Sequence, residues 1–304
     1  MDTEPIFYYD LATALKTPEA VTRLDLHFQE LTEVPADIAR FTNLTELFIW
    51  NNKITDLPDF LFEMKSLKKI DLSGNNITKL SANISKLTGI EVLILSWNQI
   101  KELPKEIGNL KSIKVLGLSN NELSRLPDEI CNLQSLEELI LGENPLLELP
   151  NSFGNLTNLK RLNACNCYLK LLPDSIGDLV KLEKLEIHQN HLNELPETIG
   201  KLQNLEKMRA YGNILTHLPN SICDLHKLRK LILYKNDIIE LPENIGNLTN
   251  LSELDLNSND LKALPDSIAT LQKLKTVNFG RNQFTQAEMV KAQSLLRHTS
   301  INWS

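Results

Sequence analysis

The sequence repeats every 23 residues without an insertion or a deletion. The pattern L-x-x-L-x-L-x-x-N-x-L-x-x-L-P-x-x-I-x-x-L-x-x begins at Val21 and runs through eleven full repeats and a truncated twelfth, which begins at Leu274. A fixed period of this length predicts a solenoid, because one such repeat buries its apolar face only against its neighbours. Function must then be sought at the positions where the repeats differ.

Each repeat is predicted to begin with a short strand. In the fourth repeat Leu93 and Leu95 alternate with Val92 and Ile94. Successive side chains of a strand point to opposite faces, so the two leucines are expected inside and the other two residues outside. The strands of successive repeats should stack in parallel and line one face of the solenoid.

Asparagine and proline are tied to fixed places in the repeat. Asn98 follows the strand, and ten of the twelve repeats carry asparagine there, with Gln29 and Cys167 at the other two places. The amide side chain is expected to satisfy backbone groups that the turn removes from the sheet. Ten of the thirteen prolines occupy one place, as Pro104 does, with Ser81 as the exception. Proline there suits a bend that leads into one helical turn, so we assign these prolines to the architecture.

The return segment LPxxIgxL, as in residues 195–202, resembles that of the leucine-rich repeat family, and the resemblance covers residues 21–285. Two subgroups with 23-residue repeats are similar: Ras-associated intracellular scaffolds of animals and plants, and repeat proteins of bacteria such as leptospires and bacteroidetes. The opening residues 10–21 look more like the bacterial group. The resemblance implies an α/β solenoid, a horseshoe of about twelve repeats with a parallel sheet on its concave face.

Both ends of the repeat region, residues 21–285, are expected to be closed by helical caps. An N-terminal cap is assigned to residues 1–20, with an amphipathic segment over residues 6–16 that ends near Thr17 and Pro18. Its apolar residues are Ile6, Phe7, Leu11 and Leu15.

A C-terminal cap is assigned to residues 286–304. Thr285 and Glu288 have the spacing of a capping box, which predicts a helix through Leu296. Ile301 and Trp303 are expected to add a last rung to the sheet.

Composition limits the partners that this chain can bind. The formal net charge of −7 argues against a sequence-independent grip on nucleic acid, which needs a basic surface. The sequence contains no apolar run of membrane-spanning length and no signal-peptide pattern at its start. Its four cysteines lie inside repeats, at places predicted to be unsuited to pairing, which favours a reducing compartment. We therefore expect a cytoplasmic monomer, or alternatively a protein exported without a classical signal peptide.

Two clusters on the predicted concave face depart from what the scaffold needs. The fifth and seventh positions of each repeat, together with the third, should form columns of exposed side chains on this face. The N-terminal cluster is Phe48, Trp50, Val92, Ile94 and Trp97, with Phe28 alongside. The C-terminal cluster is His188, Arg209, Tyr211, Ile232 and Tyr234, bordered by the basic column Arg161, Lys184, Lys207 and Lys230. Exposed Trp, Tyr and Arg dominate interface energies, although such rings also cover one another as cross-strand pairs, and the basic column also fits a solvated charge ladder.

The sequence thus predicts a protein–protein interaction module, a scaffold or adaptor, with an exported bacterial effector or surface factor as the alternative. A globular partner would rest on the small residues of the fifth and sixth repeats, between the two clusters. An enzyme is the alternative of a different class, with a site around Glu186, His188 and Arg209. We find no phosphate-binding loop or serine elbow, and His188 and His191 lack a third ligand nearby, so neither a cofactor nor a metal is expected.

Overall fold

The computed structural model describes residues 7–304 as two compact units, the first ending at Pro145 and the second spanning Leu146–Ser304. Each unit is a stack of short parallel strands joined by turns and compact return segments. The first unit contains β1 (Phe7–Tyr8), β2 (Arg23–Asp25), β3 (Glu46–Phe48), β4 (Lys69–Asp71), β5 (Val92–Ile94), β6 (Val115–Gly117) and β7 (Glu138–Ile140). The second contains β8 (Arg161–Asn163), β9 (Lys184–Glu186), β10 (Lys207–Arg209), β11 (Lys230–Ile232), β12 (Glu253–Asp255), β13 (Thr276–Asn278) and β14 (Ser300–Asn302).

The register within each unit follows the repeat. Leu93 of β5 lies opposite Leu116 of β6, and Met208 of β10 lies opposite Leu231 of β11, so equivalent residues pair 23 positions apart. All four of these side chains are almost completely buried. The parallel sheet and the predicted inward positions are therefore confirmed, and the fold is the repeat solenoid that the sequence predicts.

The return segments are single turns of 3₁₀ helix rather than long helices. In the fourth repeat the amide of Ile107 donates to the carbonyl of Pro104 at 3.0 Å, and Leu110 closes the turn on Ile107 at 3.1 Å. In the first unit these turns are Pro18–Ala20, Ala36–Arg40, Ala82–Lys86, Lys105–Asn109 and Asp128–Asn132, and the helices are α1 (Leu11–Ala14) and α2 (Asp59–Glu63). In the second unit the turns are Phe153–Asn155, Asp174–Asp178, Glu197–Lys201, Asn220–Asp224, Ile245–Asn247 and Asp266–Thr270, and the helix is α3 (Gln286–Leu295).

Buried asparagines connect each repeat to the one before it. The Nδ2 group of Asn98 donates to the carbonyls of Leu95 and Leu72, both at 3.0 Å, and its Oδ1 accepts from the amide of Ile77 at 2.9 Å. One amide thus satisfies three backbone groups in two repeats. The same set of contacts is made by Asn52, Asn75, Asn121, Asn144, Asn190, Asn213, Asn236, Asn259 and Asn282.

The N-terminal end differs from the predicted helical cap. Phe7 and Tyr8 form β1, which pairs in parallel with β2, and only Leu11–Ala14 is helical. A helix over residues 6–16 was the wrong prediction because the free edge of β2 binds the segment as an added strand, and Ile6 lies outside the described residues. Asp10 then begins α1, since its carboxylate accepts from the amide of Thr13 at 2.7 Å.

The C-terminal end follows its sequence pattern. The Thr285 hydroxyl accepts from the amide of Glu288 at 3.3 Å, and α3 ends at Leu295, with Leu296 as its C-cap residue. Ile301 lies opposite Val277 in β14, so the predicted last rung is present. Within residues 7–304 no helix has both the length and the apolar character needed to cross a membrane.

Replacing Asn98 with alanine should destabilise the first unit by about 1–3 kcal/mol, because the buried amide of Ile77 loses its acceptor, whereas the carbonyls of Leu72 and Leu95 each lose one of two asparagine donors. Urea unfolding followed by circular dichroism measures the change. The neighbouring Gln99 is exposed, and Gln99→Ala serves as the control with an expected change within ~0.5 kcal/mol. Equal losses in the two variants would contradict the role assigned to the asparagines.

Candidate partner-binding face

The third, fifth and seventh positions of each repeat project from the sheet on the side opposite the core, which we call the open face. Scaffold packing leaves these positions free, since Ser73, Ser119 and Gly142 occupy the seventh position in three repeats. Trp50, Tyr211 and Tyr234 occupy the same position elsewhere, and all three are half-buried rather than enclosed in the core. The predicted register of these rings is therefore confirmed.

The rings at the start of the first unit form two sets in contact, Phe7 with Phe48 and Trp50 with His27 and Phe28, which we together call the N-terminal aromatic patch. Trp50 stacks on His27 with ring centroids 4.3 Å apart, and Phe28 meets Trp50 edge-on at 4.9 Å. The Phe7 and Phe48 rings lie 6.3 Å apart. The predicted cluster thus gains Phe7 and His27, which sequence reasoning left out. The sequence contains a signal for both residues. His27 stands in the seventh-position column with Trp50, and Phe7 is an aromatic residue in the segment before the first repeat.

Cations cover two of these rings. The Arg23 guanidinium lies 3.9 Å from the centroid of Phe7 and also pairs with Glu46 at 2.8 Å, while Lys69 Nζ lies 4.9 Å from the centroid of Phe48. Each cation is attracted by the negative face of its ring. The patch therefore presents aromatic surface beside positive charge.

Trp97 belongs to a different part of the repeat from Trp50. It occupies the eighth position of the fourth repeat, where the strand turns, and it is 62% exposed. Val92 and Ile94 stand on β5 of the same repeat and are half-buried on the open face. The predicted N-terminal cluster is therefore divided along the chain: Phe48 and Trp50 stand in the second repeat, and Val92, Ile94 and Trp97 in the fourth.

The backbone of the eighth residue adopts the left-handed conformation, with positive φ, in every full repeat of the described chain. Trp97 has φ +59° and Phe28 has φ +53°, and two of the repeats place glycine there instead. A bulky residue in this conformation costs about 1–2 kcal/mol, whereas asparagine and glycine adopt it readily. The chain thus holds two exposed aromatic rings at positions that disfavour them.

Three rings of the second unit form a continuous stack, which we call the C-terminal ring stack. His188 lies against Tyr211 at 4.3 Å and Tyr211 against Tyr234 at 4.2 Å, with interplanar angles of 19° and 10°. Burial raises the pKa of Tyr211 to about 12, and its hydrogen bond with Tyr234 acts in the same direction. Burial also lowers the pKa of His188 from its ordinary value, and His188 Nδ1 is buried with no hydrogen-bond partner in the part of the chain that the structure describes.

Charged side chains beside the ring stack pair with one another. Glu186 accepts from Arg209 Nη1 at 3.0 Å and lies 3.6 Å from Lys207 Nζ. Lys230 pairs with Glu253 at 2.5 Å. The basic column is therefore partly neutralised on the open face, as expected for a solvated charge ladder.

Ile232 was predicted to belong to the binding surface, and this assignment needs correction. Its side chain is only 8% exposed. It lies at the fifth position of the tenth repeat, at the end of β11, between Arg209 of β10 and Asp255 of β12. Ile232 consequently offers little area to a partner, while Arg209 remains half-exposed.

The residues of the enzyme alternative lie in adjacent repeats, and their side chains are engaged with neighbouring side chains. The Glu186 carboxylate is paired with Arg209, and the His188 ring is stacked on Tyr211. Among residues 7–304 no group of three or more His, Cys, Asp or Glu side chains is placed to hold a metal ion. The arrangement supplies aromatic surface and hydrogen-bonding edges, which suit recognition.

Comparisons with known proteins agree with the repeat. A family model described as a leucine-rich repeat region matches residues 80–168, 104–190 and 216–302, and one described as leucine rich repeat matches residues 42–100. A search of curated protein sequences finds no match. A leucine-rich repeat protein of Leptospira interrogans has 28% identity and a TM-score of 0.58, covering 98% of this chain and 100% of that one.

Two further structures are similar over most of this chain. A plant peptide hormone receptor, RGFR1 in complex with RGF2, has 26% identity and a TM-score of 0.68, covering 88% of this chain and 52% of the receptor. An internalin of Listeria monocytogenes has 23% identity and a TM-score of 0.72, covering 94% of this chain and 88% of that one. At that identity the internalin shows the shared fold alone.

Replacing Trp97 with asparagine should raise the free energy of unfolding by about 0.5–1 kcal/mol, because asparagine relieves the cost of the left-handed backbone. Denaturant unfolding measures the change. The reciprocal variant Asn166→Trp, at a position with φ +49°, should be destabilised to a similar extent. A loss of stability in Trp97→Asn would show instead that the ring contributes to packing.

The raised pKa of Tyr211 predicts how this residue titrates. The folded protein favours the neutral phenol, so the resulting stabilisation is present below pH 10 and is lost as the pH rises past about 12. Ultraviolet titration of the native protein should show a tyrosine that ionises near pH 12. Tyr211→Phe should remove this component and Tyr168→Phe should leave it unchanged; its persistence in Tyr211→Phe would contradict the assignment.

Proposed function

Because the chain belongs to the leucine-rich repeat family, we propose that it is a protein–protein interaction module, a scaffold or adaptor that binds a folded partner on the open, concave face of its sheet. The observation that carries this proposal is the presence of aromatic rings, half-buried at the seventh position and exposed at the eighth, where other repeats have serine, glycine or asparagine. Rings that the scaffold does not need are explained by contact with another molecule.

The proposed contact residues have the chemistry of interface anchors. Aromatic side chains bury large areas at a low cost in conformational entropy, and arginine adds directed hydrogen bonds. On the first unit the proposed residues are Phe48, Trp50, Val92, Ile94 and Trp97; on the second they are His188, Arg209, Tyr211 and Tyr234.

Preorganisation also supports binding at the ring stack. His188, Tyr211 and Tyr234 hold one another in parallel, so their rotamers are restricted before a partner arrives. Binding then loses less side-chain entropy than it would with three independent rings. The plant receptor RGFR1, described in complex with RGF2, is a similar protein that uses this fold for recognition.

Photo-cross-linking tests the proposed face and identifies the partner in one experiment. A photoreactive phenylalanine analogue placed at Trp50 or at Tyr234 should capture the same partner from a lysate of the source organism. The analogue placed at Lys105 or Lys201, exposed residues of the return segments, should not. Capture from the return segments alone would contradict the proposed face.

Once the partner has been identified, we expect Trp50→Ala and Tyr234→Ala each to weaken its binding at least tenfold, or ~1.4 kcal/mol. Isothermal titration calorimetry measures the affinities. Lys105→Ala and Lys201→Ala are the matched controls and should bind like the wild type. An unchanged affinity in both aromatic variants would show that the rings only cover one another.

We further propose that the protein acts in the cytoplasm as a monomer. We also propose that it has no catalytic activity, since the Glu186 and Arg209 side chains, which the enzyme alternative would use, are engaged with each other. The alternative is an exported bacterial recognition protein, which the full-length similarity to the Leptospira interrogans protein favours. Fractionation of source cells distinguishes the cytoplasmic from the exported alternative, because an exported protein is absent from the cytoplasmic fraction.

A further inference from the structure

The flank of the second unit carries an apolar stripe outside the open face. Five exposed side chains form it: Leu147, Tyr168, Leu171, Ile214 and Ile239, each between 46% and 54% exposed. They occupy the tenth, twelfth and thirteenth positions of their repeats, just after the turn. We call this surface the flank stripe.

The repeats of the first unit show that the scaffold does not need apolar residues there. At these three positions the first five repeats carry polar or charged side chains without exception. In the fourth repeat, for example, they are Gln99, Lys101 and Glu102, all of them exposed. The flank stripe is therefore a property of the second unit alone within the repeats compared.

Backbone hydrogen bonds between successive repeats hold the segments that carry the stripe side by side. The amides of Tyr168, His191 and Ile214 donate to Leu146, Leu169 and Leu192 of the preceding repeats, at 3.0, 2.9 and 3.0 Å. The amide of Ile239 donates to Thr216 at 3.1 Å. The Tyr168 ring lies 5.7 Å from that of His191, the exposed ring that the eighth repeat places beside the stripe. Apolar side chains of the stripe thus stand in the sixth, seventh, ninth and tenth repeats.

Carboxylates line the side of the stripe that faces the return segments. Six exposed residues contribute them: Glu148, Asp174, Glu194, Glu197, Glu240 and Glu243. Lys170 stands within the stripe, and His217 lies 4.0 Å from Glu240. The border is thus strongly acidic, and it would repel a second copy of a chain whose net charge is already −7.

The spacing of the stripe matches a helix. Rungs lie ~4.8 Å apart, and a helix presents an apolar side chain once per 5.4 Å turn, so the two stay within about half a rung of each other over the five rungs from the sixth to the tenth repeat, roughly 19 Å. Alternate residues of an extended strand are ~6.6 Å apart and would lose alignment after two rungs. About 13 helical residues cover the stripe.

We propose that the flank stripe is a docking surface for a basic amphipathic helix of a partner protein. The apolar face of the helix packs on Leu147, Tyr168, Leu171, Ile214 and Ile239, and its lysine or arginine side chains reach the acidic border. This surface is separate from the open face, so the protein binds two partners, or two parts of one partner.

A defined peptide tests the proposal. The probe is a fluorescein-labelled peptide of about 14 residues, with leucine at helical spacing and lysine on the remaining face. A scrambled peptide of the same composition is its control. Fluorescence anisotropy at physiological ionic strength should show that the helical peptide binds at least tenfold more tightly than the scrambled one.

Variants of the protein locate the site of binding. Leu171→Lys/Ile214→Lys should weaken peptide binding at least tenfold. Gln99→Lys/Glu102→Lys places the same side chains at the equivalent positions of the first unit and should leave the affinity within twofold, although it removes more negative charge. Tyr211→Ala/Tyr234→Ala, on the open face, should also leave it unchanged. Circular dichroism confirms that each variant is folded.

Three results would overturn the proposal. Equal affinity for the helical and scrambled peptides would show that charge alone drives binding. Equal losses in the two lysine double variants would place binding outside the stripe. Sedimentation velocity that shows a dimer of the wild type, dissolved by Leu171→Lys/Ile214→Lys, would identify a second copy as the occupant.

Discussion

The buried asparagine of each repeat is the interaction on which the rest of the structure depends. The strand of each repeat has only three residues, so its own hydrogen bonds satisfy few backbone groups, and the turn that follows withdraws more of them from the sheet. Asn98 returns three of these groups to hydrogen bonds and does so across two repeats. Because these hydrogen bonds join a side chain of one repeat to the backbone of the preceding repeat, they set the register in which one repeat stacks on the next.

That register in turn decides how side chains on the open face meet. Equivalent residues stand one rung apart, ~4.8 Å along the sheet, which is close to the separation of stacked aromatic rings. His188, Tyr211 and Tyr234 therefore stack because they share a column, and the centroid separations of 4.3 and 4.2 Å follow the rungs. Tyr168 and His191 share another column and lie 5.7 Å apart. A ring is thus held by its neighbours in the column as much as by its own repeat.

The period of the sequence was sufficient to predict the strands, the inward leucines, the asparagine contacts and the C-terminal helix, because each depends on local spacing. It was insufficient where a feature depends on a neighbouring segment, such as a free strand edge or a side chain on the adjacent strand. Phe7 and Tyr8 have no repeat spacing, and they became β1 because the edge of β2 was free. Ile232 was predicted to be exposed from its column, yet its neighbours on β10 and β12 cover it.

The left-handed turn and the flank stripe were missed for a different reason. Glycine and asparagine at the eighth position signal a left-handed backbone, but Trp97 and Arg281 stand at the same position and hide the signal. The stripe was visible in the sequence as apolar residues at three positions of the repeat. It was overlooked because the open face was taken to be the surface that varies.

The terminal strands described above also govern how the ends of the sheet behave toward other chains. A parallel stack exposes unpaired backbone groups at each free edge, and a long free edge templates further strands. The β14 strand has only three residues, and the Trp303 ring that follows it packs on Phe279 and Phe284, each at 5.6 Å. A chain that paired with Ser300–Asn302 would therefore gain only a few backbone hydrogen bonds, which makes this strand a poor template.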